Sequence, residues 1–141
     1  MIRDLHHVAL VVESADTVVA FLERAFGIRP ESRKLFEEAG VDLAVYRLGS
    51  TFLEVSAPTR PGTPLGRFLA EHGPGVHHVA FAVADVSRSL SFLAENGCRL
   101  LDASPVTGRS GWTVGSLDTK GDLGVIVQLV QQPASTPDRA P

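Results

Sequence analysis

Two stretches of the chain alternate their side chains with period two: Leu5-His6-His7-Val8-Ala9-Leu10-Val11-Val12 and Val76-His77-His78-Val79-Ala80-Phe81-Ala82-Val83. Alternation of this kind predicts strands over 5–12 and 76–83. After the first strand, Val18, Val19, Leu22 and Phe26 recur at helical spacing, so a helix is expected over 15–26. Its cap lies in Glu13-Ser14-Ala15-Asp16, and Gly27 is its stop. After the second strand the same order returns, with a cap at Asp85 or Ser87, a helix through Leu90, Leu93 and Ala94, and Gly97 as the stop. Residues 28–34 read as a strand or extended loop, 35–40 as a loop, and 41–48 with 51–56 as a hairpin turning at Gly49-Ser50. In the second half, 99–101 read as a strand, 102–111 as a flexible loop, and 112–117 with 124–130 as a closing hairpin.

Each half therefore reads β-α-β-β-β, and the class is α+β with two paired modules. The first module spans 1–57 and the second 76–131. A Pro/Gly-rich connector, 58–75, carries a short helix from Leu65 to Glu71, and the aperiodic tail 132–141 is expected to be disordered. The histidine doublets lie 71 positions apart, about half the chain. A repeat at that period suggests two modules that complete one fold between them.

Strand parity separates the two histidines of each doublet. His7, Ala9 and Val11 share one face, as do His78, Ala80 and Ala82. The opposite faces carry Val8, Leu10, Phe81 and Val83, which suit packing under a helix. The faces with small side chains leave room for a ligand, so His7 and His78 are the candidate metal ligands. His6 and His77 are left at the strand starts, hydrogen-bonded or partly solvated. The last strands of the two halves, FLEVSAP and VIVQLVQ, are each interrupted by one polar residue, Glu54 and Gln128, at nearly the same period. An unpaired polar group in an apolar run costs a few kcal/mol, roughly, and a metal would satisfy both. His7, Glu54, His78 and Gln128 then offer two nitrogens and two oxygens, with positions left for water or substrate. That set suits one divalent ion of Co, Ni, Mn, Zn or Fe better than Ca or a structural zinc.

Composition narrows the partners. The net charge is −3 and no basic cluster is interleaved with aromatics, which argues against nucleic acid. No apolar run approaches a membrane span and no signal peptide is read at the start, so a cytoplasmic protein is expected. Cys98, the single cysteine, excludes an internal disulfide and reads as a small buried hydrophobe.

The HHVA strands and the repeated β-α-β-β-β order resemble the vicinal oxygen chelate superfamily, which includes glyoxalase I, methylmalonyl-CoA epimerase, extradiol dioxygenases and the fosfomycin and bleomycin resistance proteins. Within it the chain most resembles the methylmalonyl-CoA epimerases. The stretch LGSTFLEVSAPTRPGTPLGRFLAEHGPGVHHVAFAVADV carries that likeness, and GRFLAEHGPGVHHVAF is its most specific part. The resemblance covers about residues 5–131. It implies a cupped mixed sheet, a metal-dependent epimerase or isomerase working through an enolate, a small-molecule substrate with an acyl-CoA as one candidate, and a homodimer. Leu65, Phe68 and Leu69 of the short helix are offered for the dimer contact.

There are departures from the epimerase pattern. Gln and Glu are exchanged at Glu54 and Gln128. Leu43 stands where some epimerases carry a glutamate proposed as a base, and Asp118-Thr119-Lys120 stands where H-P-K is usual. Glu54 is thus the one obvious catalytic base. The alternatives within the superfamily are an Fe(II)-dependent dioxygenase using His7, His78 and Glu54, and a non-catalytic small-molecule-binding resistance protein. Trp112, Phe36 and Lys120 are candidates to meet substrate. Ordinary packing would equally explain the two aromatics, and a solvated surface charge would explain Lys120.

Overall fold

The structure, a computed structural model, describes residues 1–132. The expected tail falls outside these residues from 133 onward. The elements run β1 (Ile2–Val11), α1 (Ala15–Phe26), β2 (Ser32–Phe36), β3 (Val41–Leu48), β4 (Thr51–Pro58), α2 (Pro64–His72), β5 (Gly75–Val83), α3 (Val86–Glu95), β6 (Val106–Thr107), β7 (Thr113–Leu117), α4 (Lys120–Leu123) and β8 (Ile126–Gln131). The α+β class and the repeated order are as the pattern predicts. Two compact units are present. One is His7–His78; the other is Met1–His6 together with the chain from Val79 onward.

In the His7–His78 unit the strand order is β2-β3-β4-β1. β2, β3 and β4 are antiparallel neighbours, and β1 runs parallel to β4 with Ala9 opposite Glu54. One face of this sheet lies under α1. Val12, Ala44, Tyr46, Val55 and Ala57 form its core with Ala15, and Leu10, Val18, Val19, Leu22 and Leu53 pack against them. Ser14 caps α1 by accepting from the Thr17 amide, and Gly27, at φ 67°, closes it in the left-handed region that glycine adopts without strain. In the second unit α3 covers Phe81, Val83, Leu117, Val127 and Leu129 with Val86, Leu90 and Leu93. Gly115 permits that approach, because a Cβ there would meet a Leu90 methyl at 2.7 Å. Asp85, not Ser87, supplies the cap.

Several local expectations change. Residues 99–101 contribute only an isolated bridge from Leu100 to Leu117, and the module's second strand is the short β6. The Asp102 carboxylate accepts the Ser116 amide at 2.8 Å, so a side chain takes a donor that a ladder would have used. A four-residue helix, α4, sits inside the last hairpin. Cys98 is exposed, because its amide closes α3 onto Leu93 O and the chain leaves that turn in solvent. β1 begins at Ile2, so His6 lies inside the strand and is buried. The side chains offered for a dimer contact are partly used within the chain: Leu65 is buried, and Phe68 packs between His72 and His77.

Candidate metal centre

Residues opposite one another in a ladder share a face, so register reads out what lies beside Glu54. The row through Glu54 holds Ala9 and Val45; the row through Phe52 holds His7 and Arg47. This is the face turned away from α1. Its small β1 side chain, Ala9, leaves space between the imidazole of His7 and the carboxylate of Glu54. β5 brings His78 to the same point. His7 Nε2 lies 2.8 Å from Glu54 Oε1 and 3.0 Å from His78 Nε2, and His78 Nε2 lies 3.6 Å from the same oxygen. The three side chains are buried or nearly so: 0% exposed for His7, 11% for Glu54 and 16% for His78.

The triangle fits a shared cation. Ligands at about 2.1 Å from a first-row ion and at right angles are separated by about 3.0 Å, and by about 3.4 Å in a tetrahedron. The observed 2.8–3.6 Å brackets both values. Two imidazoles and a carboxylate are also the donor types that such ions take. Three of the four ligands expected from the sequence thus converge and form a group able to hold a metal ion. Gln128 stands on β8 in the other compact unit, half-buried, and donates from Nε2 to Ser116 Oγ at 3.4 Å. It shares its strand face with Val130, which packs on Ala80, the residue two beyond His78 on β5.

The remaining candidates are placed as follows. Phe36 ends β2 opposite Val41, half-buried under the Lys34 ammonium at 4.9 Å. Trp112 packs on Ala80, Val114 and Val130 and meets the His6 ring edge-on, with centroids 4.5 Å apart. Lys120 opens α4 and is exposed. Leu43 is buried, and its neighbour Asp42 is taken by Arg33, which donates to both carboxylate oxygens at 3.1 and 2.8 Å. Asp42 first, then Asp16, hold that guanidinium firmly charged and push its pKa further up.

Sequence reading missed several polar contacts. Arg47 lies over the Phe52 ring at 5.3 Å in the same row as His7, and Lys34 stands opposite Leu43. Counting by twos from Glu54 back through the Gly49-Ser50 turn would have found the first. The contact between the two Nδ1 atoms of His77 and His78, at 2.9 Å, has no signal in strand parity, which puts those side chains on opposite faces.

Comparison with known proteins places this geometry. The chain is 29% identical over 127 residues to an uncharacterized protein of Bacillus subtilis, covering 90% of this chain and 91% of that one. It is 29% identical over 133 residues to the ethylmalonyl-CoA/methylmalonyl-CoA epimerase of Cereibacter sphaeroides, covering 93% and 99%. A methylmalonyl-CoA epimerase variant of Streptomyces coelicolor, solved with 2-nitronate-propionyl-CoA, superposes with a TM-score of 0.85 at 29% identity over 95% of this chain and 97% of that one. These epimerases are enzymes, and their fold is the α+β vicinal oxygen chelate fold. With residues 6–115 matching the family model as well, the chain belongs to the Glyoxalase/Bleomycin resistance protein/Dioxygenase superfamily.

Proposed function

We propose that the chain is a metal-dependent epimerase or isomerase that acts through an enolate at the α-carbon of a 2-substituted malonyl-type acyl-CoA. The convergence of His7, Glu54 and His78 in a buried cluster carries this reading. The epimerase relatives and the acyl-CoA analogue bound by the Streptomyces coelicolor enzyme support the substrate class. His7, Glu54 and His78 would hold one divalent ion, and Gln128 is offered as a fourth donor by the sequence repeat alone. Bound there, it supplies Lewis-acid stabilisation of charge developing on the acyl oxygen.

Glu54 is the group that moves the α-proton, because a carboxylate within reach of the reacting carbon serves as general base. No second carboxylate faces it from β3: the residues on that face are Val41, Leu43, Val45 and Arg47, and Asp42 is held by Arg33. Proton removal and return then use one face of the substrate, so α-proton exchange should outpace inversion. Trp112, Phe36 and Lys120 are the proposed substrate contacts, with Arg47 added by its place across β4 from His7, in the row through Phe52.

The test is deuterium uptake at the α-carbon of methylmalonyl-CoA, then of bulkier 2-substituted thioesters, with the purified chain loaded with Co or Mn. Exchange faster for one enantiomer supports the reading; no exchange with any such substrate sinks it. A second reading follows from the same three residues, which make a two-His-one-carboxylate set suited to Fe(II) oxygenases. Oxygen uptake dependent on Fe(II) would favour it.

A further inference from the structure

His77 is adjacent to a proposed ligand yet belongs to the other strand face, and its ring is held from elsewhere in the fold. Phe68 of α2 meets it edge-on, with centroids 5.0 Å apart, and Phe68 itself packs on His72 at 5.0 Å. α2 is anchored at its start by Thr63, whose side chain accepts the Gly66 amide. The held ring places its Nδ1 2.9 Å from His78 Nδ1. On the far side of His78, Nε2 points at His7 and Glu54.

We propose that His77 is a positioning residue that fixes the tautomer of His78 and thereby presents the His78 Nε2 lone pair to a divalent cation. One proton lies between the two Nδ1 atoms. If His77 donates it, neutral His78 must carry its own proton on Nε2, and that nitrogen has no lone pair for a metal. If His78 donates it, Nε2 is free to ligate. The second arrangement is the one that lets Nε2 ligate a cation held in the triangle it forms with a carboxylate and a second imidazole. Metal-bound histidines characteristically donate their other ring N–H to an acceptor that fixes both tautomer and orientation. The two ligands also differ in their need for such a partner. His7 is wholly buried, so packing restrains its ring, whereas His78 keeps 16% of its side chain exposed. His77, steadied by α2, supplies the restraint that burial does not.

This inference rests on the metal reading of the cluster, and the experiment separates the two. His77→Phe keeps an aromatic ring against Phe68 and removes the acceptor. His77→Asn restores an acceptor oxygen near the Nδ1 position. Nitrogen-15 NMR of the metal-free proteins reports the His78 tautomer, and competition against a chelator gives Co affinity. The wild type should show His78 protonated on Nδ1. His77→Phe should shift it to the Nε2–H form and weaken Co binding by roughly 10- to 100-fold, with His77→Asn recovering most of both. If His77→Phe does not fold, His77→Asn carries the test: an Nδ1–H signal with near-native affinity supports the proposal. An Nε2–H tautomer in the metal-free wild type, or unchanged Co affinity in His77→Phe, overturns it. A wild type that shows Nδ1–H but binds no divalent cation would end the metal reading and leave the positioning of His78 by His77 standing.

Discussion

Glu54→Gln separates the two duties assigned to this carboxylate. The amide oxygen can still occupy the position of Oε1, 2.8 Å from His7 Nε2, so a cation can remain at high concentration. What is lost is basicity. The size of the loss depends on whether another group can take over, and the structure argues that none on this face does. Val41, Leu43 and Val45 line the β3 side, and Asp42 is committed to Arg33. The deficit should therefore be that of a removed general base, roughly 100-fold to 10,000-fold, or about 3–5 kcal/mol on the barrier. The assay is deuterium incorporation into methylmalonyl-CoA, followed by mass spectrometry with enzyme confirmed to be metal-loaded. Saturating cation removes any contribution from weakened metal binding. Undiminished exchange in loaded Glu54→Gln protein would remove Glu54 from the mechanism. Exchange below detection in the wild type, alongside oxygen consumption with Fe(II), would favour the oxygenase reading.

Three further outcomes are expected. His78→Ala should lose the metal, read by elemental analysis, while circular dichroism shows an intact fold, because His78 belongs to neither apolar cluster beneath α1 and α3; stoichiometric metal in the variant refutes the assignment. Tyr46→Phe should stabilise the chain by about 1–3 kcal/mol in denaturant titration, because the buried Tyr46 hydroxyl has no hydrogen-bond partner. Burial also raises the Tyr46 pKa above its ordinary 10.0, so above that pH the unfolded chain loses a proton that the folded chain keeps; wild-type stability should fall there relative to Tyr46→Phe, and equal alkaline slopes would contradict this. A symmetric homodimer is expected in sedimentation, and a concentration-independent monomer would contradict it.

The parts of the fold legible in the sequence were those where one physical rule decides the outcome. Val18, Val19 and Leu22 needed an apolar sheet beneath them and found Val55 and Ala57, so periodicity alone located α1. Ser14 and Gly27 marked its ends because each satisfies orphan backbone groups at a helix terminus. Strand parity put His7 on one face with Ala9, and the register of β1 with β4 sets Ala9 opposite Glu54. Illegible features depended on partners distant in sequence. The side chain of Asp102 competes for the Ser116 amide, and nothing near residues 99–101 announces that competition. Cys98 is apolar enough to be read as core, but its exposure follows from where the turn after α3 leaves the chain. The contact from His77 to His78 depends on a ring held by Phe68, nine residues earlier on a different element.

This division of labour has a consequence for how the site can change. The cluster beneath α1 lies on one side of the sheet, and His7 and Glu54 lie on the other, alternating with it along the same strands. In β4, Leu53, Val55 and Ala57 pack under α1 while Glu54 reaches the cluster. A period-two strand thus keeps stability and chemistry on separate side chains while fixing their spacing through one backbone. Substitutions at the ligand-face positions leave the cluster beneath α1 untouched. Leu43 fits that pattern: it occupies a ligand-face position, is buried, and carries no proton. The neighbouring Asp42 cannot stand in, because reaching the ligand face would require a one-residue slip of β3. That slip would also turn Ala44 and Tyr46 out of the core beneath α1. The single-base character proposed for this site is therefore tied to the register that builds the core, and a second carboxylate from β3 requires a change at a ligand-face position such as Leu43.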